Sequence, residues 1–332
     1  MAKVDFDRLF QDFSGLKVGV IGDVMLDTYW WGHVDRISPE APVPVVALDK
    51  KEYRIGGAGN VALNLSCLDA EVTILSVIGK DDEGKTLNDL FGTNRIKTDY
   101  LLQSDQRITT SKTRIISRNQ QMMRLDAEDT RDLSVADESR FMKQVEEYIA
   151  GENPKIVIFE DYNKGVLTEK IIRETIALCR EKKILTAVDP KRKNFFAYQS
   201  IDIFKPNLKE VQDGLNLLVD ELNPEILDHI HSELSKKLKH RISFITLSEK
   251  GVYYKNETGS EIIPSHLRNI ADVSGAGDTV IAVASLIYAA TGDVKLMAEV
   301  ANIAGGVVCE QVGTVAINKQ QLLNECKALV RL

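Results

Sequence analysis

Short runs of apolar residues recur along the chain, and each leads through a polar residue or glycine into a segment with helical periodicity. The runs are dominated by Val, Ile and Leu, which is typical of strands buried on both faces of a parallel sheet. Strands that alternate with helices predict an α/β protein with a mostly parallel central sheet. The predicted strands are "KVGVIGD" (17–23), "VTILSVIGKD" (72–81), "KIVIFEDY" (155–162), "ILTAVDP" (184–190), "IDIFKPN" (201–207) and "ISFITLSEKG" (242–251).

Two stretches, residues 28–55 and 98–125, break this alternation. Both are rich in β-branched and aromatic residues and show no helical period. We expect them to form antiparallel strands of a small sheet that stands over the strand ends as a lid, a dimer surface or both. No repeat or linker divides the chain, so we predict one domain, residues 1–332, with this lid inserted in it.

The polar residues that close the predicted strands are candidates for a binding site. In a parallel α/β sheet, ligands bind beyond the carboxyl ends of the strands. The residues at these ends are Asp23, Asp161, Asp189, Asn207 and Thr246.

The stretch "NIADVSGAGDTVIAVAS" (269–285) places two glycines at the start of a predicted helix that begins at Ala276. The first N–H groups of a helix lack partners within it and favour an anion, and Gly275 and Gly277 let a ligand approach them. Asp278 follows, close enough to meet a hydroxyl group. An anion hole beside a carboxylate is what phosphorylation of an alcohol requires. An acidic residue that merely complements the helix dipole is the alternative, and spacing alone leaves both open.

A second glycine cluster, "RIGGAGNVALNLSCL" (54–68), precedes an amphipathic helix with Asn60 in its first turn. It lacks the G-x-G-x-x-G pattern of dinucleotide sites and the Gly-Lys-Ser/Thr of a Walker A loop. The sequence therefore disfavours an NAD-dependent oxidoreductase. A simple tight turn remains an alternative reading of the paired glycines.

Composition narrows the class of protein. The 332 residues are 44% hydrophobic and carry 42 Lys+Arg against 49 Asp+Glu, for a net charge of −7. This balance argues against a nucleic-acid protein, which needs a basic surplus to neutralise phosphates, but it leaves room for local basic sites for a small anion. We find no apolar run of about 18 residues and no signal peptide, which disfavours a membrane protein. Four widely spaced cysteines are typical of free thiols in a reducing compartment, so we expect a cytoplasmic protein.

The order of the motifs resembles that of the ribokinase-like (phosphofructokinase-B type) carbohydrate kinases over essentially the whole chain. "GGAGNVALNLSCLDAEVTILSVIGKDDEGK" resembles the family's first signature, and "DVSGAGDTVIAVAS" resembles the second. Between them "KPNLKE" (205–210) matches its N-x-x-E element. The resemblance implies a three-layer ribokinase-like α/β fold with a small β lid, and an enzyme that uses ATP and Mg²⁺.

The resemblance also assigns roles at the site of phosphoryl transfer. Asp278 matches the family's catalytic base, and the backbone of Gly275, Ala276 and Gly277 matches its anion hole. An Asp of ordinary pKa near 4 suffices as a base if proton transfer comes late in a loose transition state.

Asn207 and Glu210 match the element that positions Mg²⁺ and phosphate, through water. With Leu208 and Lys209 they form the predicted nucleotide-side helix start, where positions i and i+3 share a face. A capped helix start alone would explain Asn207 but not its pairing with Glu210. The remaining nucleotide-side residues implied by the resemblance are Thr246, Ser248, Gly251 and Asn302, and tight helix packing is the alternative for Asn302.

On the sugar side, Asp27 matches the family's hydroxyl-binding Asp, Gly57 and Asn60 match its sugar-facing turn, and Asp23 and Asp161 are predicted neighbours. Ala58 stands where ribokinases proper often carry Lys, which argues against plain ribose.

A narrower resemblance concerns the kinases of the ADP-heptose pathway of lipopolysaccharide synthesis. It rests on the segments 22–46, 117–126, 160–168 and 188–191. It implies transfer from ATP to the anomeric C1 hydroxyl of D-glycero-D-manno-heptose 7-phosphate, giving the 1,7-bisphosphate. The candidate cations for the substrate phosphate are Arg118, Arg124, Lys164 and Lys191, with solvated surface charge as the alternative for each.

Many of these kinases are fused to a nucleotidyltransferase with an H-x-G-H motif, which is not present in this sequence. We therefore expect a separate nucleotidyltransferase downstream, and a homodimer formed through the lid. The open alternatives are a kinase of another sugar or sugar phosphate, and a nucleotide-binding regulator without catalysis.

Overall fold

A computed structural model describes residues 4–118, 120–217 and 222–330. Ten α-helices are found in these ranges. The helices are α1 (Phe6–Asp12), α2 (Ala58–Cys67), α3 (Asp82–Thr93), α4 (Val135–Glu152), α5 (Glu169–Glu181), α6 (Leu208–Leu215), α7 (Pro224–Leu238), α8 (Ala276–Thr291), α9 (Val294–Val308) and α10 (Lys319–Leu329).

Thirteen strands within the same ranges form two sheets. Nine strands form the large sheet, namely β1 (Lys17–Gly22), β4 (Glu71–Gly79), β5 (Lys97–Ser104), β8 (Ile156–Glu160), β9 (Leu185–Asp189), β10 (Ile203–Phe204), β11 (Ile242–Thr246), β12 (Val252–Asn256) and β13 (Gly259–Ile263). The small sheet contains β2 (Val24–Ile37), β3 (Pro44–Gly57), β6 (Ser111–Ser117) and β7 (Gln120–Ala127).

The large sheet runs in the order β13-β12-β11-β10-β9-β8-β1-β4-β5. From β11 to β5 all neighbours are parallel, whereas β12 and β13 are added antiparallel at one edge. Each of the six strands predicted from the apolar runs is present. The prediction of a mostly parallel α/β sheet is confirmed.

Successive side chains of each strand enter two different cores, one on each face of the sheet. In β8, for example, Ile156 and Ile158 join the core beneath α2, α8 and α9, while Val157 and Phe159 join the core beneath α4, α5 and α7. This alternation follows from the two-residue period of a strand. It produces three layers and decides which strand-end side chains face α8.

The small sheet has the order β3-β2-β6-β7. Its outer pairs are antiparallel as predicted, but β2 and β6 pair in parallel. The predicted boundary at residue 98 is wrong, because residues 97–104 form β5 and pair with β4 in the large sheet. An edge strand of the large sheet has the same mixed polar and apolar pattern as a lid strand, so the pattern alone does not separate them.

All four cysteines lie in the described residues and are unpaired, and three of them are buried. Across the described part of the chain, we find no helix with the length and apolarity needed to cross a membrane.

Candidate active site

Helix α8 begins at the predicted Ala276, with Gly275 as the preceding cap residue. Gly275 has a φ of 77°, and an added Cβ would lie 2.9 Å from the Asn60 amide nitrogen. Only glycine takes this left-handed turn without strain in so little space. The turn leaves the first N–H groups of α8 at the strand ends and places Asp278 in the first helical turn.

Asp278 is held on both sides by donors from distant parts of the chain. The amide of Asn60 donates to Oδ2 at 2.7 Å, and the hydroxyl of Tyr162 donates to Oδ1 at 2.7 Å. Asn64 in turn donates to the Asn60 carbonyl at 2.8 Å. The structure thus brings Asn60 and Asp278 together and adds Tyr162, which the motifs did not indicate.

The carboxyl group of Asp278 is only 5% exposed, and burial raises its pKa to about 6. The bonds from Asn60 and Tyr162 lower the pKa, and the nearby charge of Asp189 raises it. From the sequence, Asp278 was expected to have an ordinary pKa near 4. The raised value makes Asp278 a stronger base that is still ionised at neutral pH.

Three more ionisable residues face α8 from the strand ends. Glu160, Asp189 and Lys205 continue the alternation that points Ile158, Ala187 and Ile203 into the core beneath α8. The Lys205 ammonium lies 2.7 Å from Asp189 Oδ2, and both side chains are buried.

Glu160 is fully buried, and neither of its carboxyl oxygens has a hydrogen-bond partner among the described residues. Asp189 Oδ1 also lacks a hydrogen bond, although the Lys191 ammonium lies 3.8 Å from it. Burial and the charges of Asp189 and Asp278 raise the pKa of Glu160. Burying a carboxyl oxygen without a hydrogen-bond partner costs free energy of folding. A bound cation would offset that cost, so these oxygens suit a cation site.

These oxygens fit Mg²⁺, the ion that the family resemblance implies. Mg²⁺ prefers carboxylate ligands and keeps several of its waters, so it needs few protein groups. Glu160 and Asp189 would hold it beside Asp278. No cluster of three or more His, Cys, Asp or Glu suited to a metal occurs in the ranges described. The sequence analysis did not select Glu160 as a site residue, because Glu160 belongs to no motif and its place at the end of β8 is the one signal that it carries.

The predicted magnesium pair, Asn207 and Glu210, is occupied by other contacts. Asn207 Oδ1 accepts the Glu210 N–H at 2.8 Å, and Glu210 Oε2 accepts the Asn207 N–H at 2.8 Å. This capping box accounts for the i, i+3 pairing that the sequence argument gave to the metal. The other oxygen of Glu210 accepts a bond from Lys191 at 2.5 Å.

Most of the predicted nucleotide-side residues lie at or just after the ends of adjacent strands, whereas Asn302 lies in α9. Asn207 and Thr246 form a parallel bridge, so the start of α6 and the end of β11 are neighbours. Gly251 has a φ of 93°, and a Cβ there would collide with the Ile263 carbonyl. Asn302 uses its amide to bond the Pro264 carbonyl at 2.8 Å. Ser248 also lies in this turn, while Leu208 is half-buried and Lys209 is exposed at the start of α6.

Asp23 and Asp161 were predicted to lie near the sugar, but both side chains are buried and used inside the protein. Asp23 accepts three backbone N–H groups of residues 162–166, at 2.9 to 3.0 Å. Asp161 accepts bonds from Tyr198 at 2.8 Å and from the Asn163 N–H at 2.8 Å. These contacts anchor a loop, and they argue against a role in binding sugar.

Asp27 lies at the root of the small sheet, the end at which β2 and β6 begin. It pairs with Arg114 at 2.6 Å. It lies against Gly56, where any side chain would collide with its carboxylate. Arg114 was not singled out from the sequence, because a lone Arg in a strand carries no motif. The pair offers both a donor and an acceptor to a polyol.

The cations proposed for a substrate phosphate are dispersed. Lys164 lies 2.6 Å from Glu128, which also lies 3.4 Å from Lys112. Arg124 pairs with Asp126 at 2.8 Å and is exposed. Arg118 follows Ser117 at the far end of the small sheet.

Along β6 that end lies about 20 Å from the strand's first residue, at ~3.3 Å per residue. The structure therefore separates Arg118 from the root of the small sheet. Lys164 lies near that root, because it shares Glu128 with Lys112 at the start of β6.

Residues 16–321 match the pfkB family carbohydrate kinases. The chain belongs to the pfkB family. Its curated relatives include the bifunctional protein HldE of Geobacter sulfurreducens, 35% identical over 324 residues. The HldE of Shewanella baltica strain OS185 is 37% identical over 312 residues.

These alignments cover 97% and 94% of this pfkB-family chain, but only 65% and 63% of the relatives. The chain thus spans somewhat less than two thirds of their length. Among solved structures, Escherichia coli phosphofructokinase-2 in complex with potassium superposes with a TM-score of 0.76 at 17% identity, covering 94% of this chain and 99% of the other. Arabidopsis thaliana ribokinase complexed with ribose and ATP superposes with a TM-score of 0.72 at 16% identity. The match covers 93% of this chain and 98% of the other. At such identities these structures confirm the ribokinase-like fold alone.

Proposed function

We propose that the protein transfers a phosphoryl group from ATP to the anomeric hydroxyl of D-glycero-D-manno-heptose 7-phosphate. One observation supports phosphoryl transfer: Asp278 is buried in the first turn of α8, next to glycines, and accepts hydrogen bonds from Asn60 and Tyr162. The heptose part is supported by the 35% identity with a protein named HldE over 97% of this chain.

In the proposed mechanism Asp278 orients the sugar hydroxyl and accepts its proton. The N–H group of Gly277 faces the transferring phosphoryl group and offsets its charge, whereas the Ala276 N–H donates to the Val273 carbonyl at 3.2 Å. Lys205, beside Asp189, adds a fixed positive charge near Gly277, where an added Cβ would lie 3.9 Å from its ammonium. Glu160 and Asp189 would hold Mg²⁺, which would supply positive charge to neutralise the phosphates.

From the sequence we also propose that the protein is cytoplasmic and that a separate nucleotidyltransferase acts on its product. A kinase for another sugar phosphate is the second candidate, because the fold admits several sugars. A regulator without catalysis is disfavoured, since Asp278 keeps two hydrogen-bond donors and a raised pKa.

The substrate assignment predicts that phosphate at C7 matters. The 7-phosphate should be favoured over free heptose by at least about tenfold in kcat/KM, since one charge-assisted contact contributes about that much. Lys164→Ala should shrink this preference, because Lys164 lies near the root of the small sheet. An ATP-consumption assay with both sugars, fructose 6-phosphate and ribose measures it.

Arg118→Ala is the matched control in that assay, because it removes an equal charge at the far end of the small sheet, away from Lys164. Equal efficiency on free heptose, or faster turnover of fructose 6-phosphate or ribose, contradicts the heptose assignment and leaves the sugar-kinase assignment standing. If Arg118→Ala alone lowers the preference, the phosphate is held by the far end of the small sheet.

We also propose that the small sheet pairs with that of a second copy. Every described residue of β7 is exposed, including Met122, Met123 and Leu125. Exposed apolar patches of this kind mark association surfaces. Light scattering should give twice the 37.0 kDa of one chain. Met123→Glu with Leu125→Glu should halve that mass, whereas Val135→Glu on α4 should not. A wild-type monomer at micromolar concentration contradicts this proposal.

A further inference from the structure

Tyr162 stands in the loop between β8 and α5, on the opposite side of Asp278 from Asn60. Its hydroxyl donates to Asp278 Oδ1 at 2.7 Å, while Asn60 donates to Oδ2 at 2.7 Å. Each carboxylate oxygen has two lone pairs, so each can still accept a bond from a sugar hydroxyl. The two donors therefore fix the direction of the carboxylate without using up its capacity as a base.

The loop that carries Tyr162 is anchored from behind. The buried carboxylate of Asp23 accepts the N–H groups of Tyr162, Lys164 and Val166 at 2.9, 3.0 and 3.0 Å. The guanidinium of Arg107 donates to the carbonyl of Lys164. An anchored loop gives its side chains little freedom, and preorganised groups are the ones that assist catalysis.

We propose that Tyr162 is a positioning residue for phosphoryl transfer, acting through Asp278, and that Asp23 anchors the loop that presents it. This inference rests on the proposed role of Asp278 as the base. Tyr162 holds the carboxylate at the angle from which it meets the substrate hydroxyl. Without the phenol, Asp278 is held from the Asn60 side alone and turns about its χ angles.

The ring of Tyr162 has a separate packing role, which the test must leave intact. The Lys191 ammonium lies 5.7 Å from the ring centroid. Tyr162→Phe keeps the ring and this contact and removes only the hydroxyl group. Tyr253→Phe is the matched control, because Tyr253 is also buried and donates to a carboxylate, that of Asp228, at 2.6 Å.

We expect Tyr162→Phe to lower kcat about ten- to a hundred-fold, the size of effect for a lost hydrogen bond to a charged group. The KM values for ATP and sugar should stay within about threefold, since an interaction that serves the transition state acts on kcat. Tyr253→Phe should keep kcat within about twofold. A kcat of Tyr162→Phe within twofold of wild type overturns the proposal.

A double-mutant cycle separates positioning from general loosening of the loop. If Tyr162 acts through Asp278, adding Tyr162→Phe to Asp278→Asn should slow the residual rate no further. A further tenfold loss in the double variant means that Tyr162 acts independently, and the proposal fails. Full activity of Asp278→Asn alone would instead remove the base role of Asp278, which is a failure of the proposed function.

Discussion

Replacing Asp278 by Asn should abolish turnover and at the same time make the protein more stable. The amide retains the size of the carboxylate, accepts the Asn60 bond and donates to the Tyr162 oxygen, so the fold is kept. It cannot take the proton, and general-base catalysis typically contributes about 10²- to 10⁴-fold. Steady-state kcat measures the first effect, and a kcat within threefold of wild type contradicts the base role.

The gain in stability follows from the pKa of Asp278, which burial raises to about 6. A native carboxyl with a raised pKa stabilises the fold while protonated, and this contribution is lost as pH rises through about 6. At pH 7.5 the free energy of unfolding of Asp278→Asn should exceed that of wild type by roughly 1–3 kcal/mol. The difference should vanish near pH 4. Urea titrations at the two pH values measure it, and equal stability at pH 7.5 contradicts it.

Asp161→Asn is the matched control, because burial also raises the pKa of Asp161 to about 6. Its carboxylate accepts bonds from Tyr198 and Asn194 rather than contacting the base. This control should show a pH-dependent change in stability and a smaller loss of turnover than Asp278→Asn, because Asp161 anchors the loop that carries Tyr162 and does not itself take the proton.

Replacing Glu160 by Gln should raise the Mg²⁺ concentration needed for half-maximal activity by tenfold or more. Mg²⁺ binds carboxylate oxygens far better than a neutral amide, and the unpartnered oxygens of Glu160 are the ones free to receive it. Apparent KM for the sugar should change little, because Glu160 faces α8 and not the small sheet. A titration of kcat against free Mg²⁺ at saturating ATP is the measurement.

Glu210→Gln tests the alternative metal position in the same Mg²⁺ titration. Its carboxylate closes the capping box of α6 and bonds Lys191, so its loss should cost stability more than metal affinity. If Glu210→Gln raises the Mg²⁺ requirement and Glu160→Gln leaves it unchanged, the metal lies at the N-x-x-E element and our assignment to Glu160 and Asp189 is wrong.

The sequence predicted the sheet well because buried parallel strands carry a continuous apolar signal. All six predicted strands are present, and α8 begins at Ala276 as expected. The lid boundary at residue 98 was wrong because an edge strand and a lid strand share one pattern. The place of Gly275 before α8 could be predicted because few other residues adopt a left-handed turn at a helix start.

The contacts of the site were less predictable, for two physical reasons. Tyr162 and Asp278 are 116 residues apart, and no local spacing reports such a contact. The i, i+3 spacing of Asn207 and Glu210 serves a capping box as readily as a metal, so the spacing did not decide between them. Burial also changed the chemistry, since the pKa of Asp278 depends on neighbours that the motif does not contain.

The way Asp278 is held also has a consequence for biosynthesis. Asn60 precedes Asp278 by 218 residues, so the donor is translated long before its acceptor. Helix α8 packs on α2, β8 and β9, which must wait with one apolar face open until residues 276–291 leave the ribosome. Such distant contacts form late and expose growing chains to aggregation. A nascent chain of this protein therefore lacks the contacts that hold the proposed base, and we expect its tendency to aggregate to be greatest just before α8 docks.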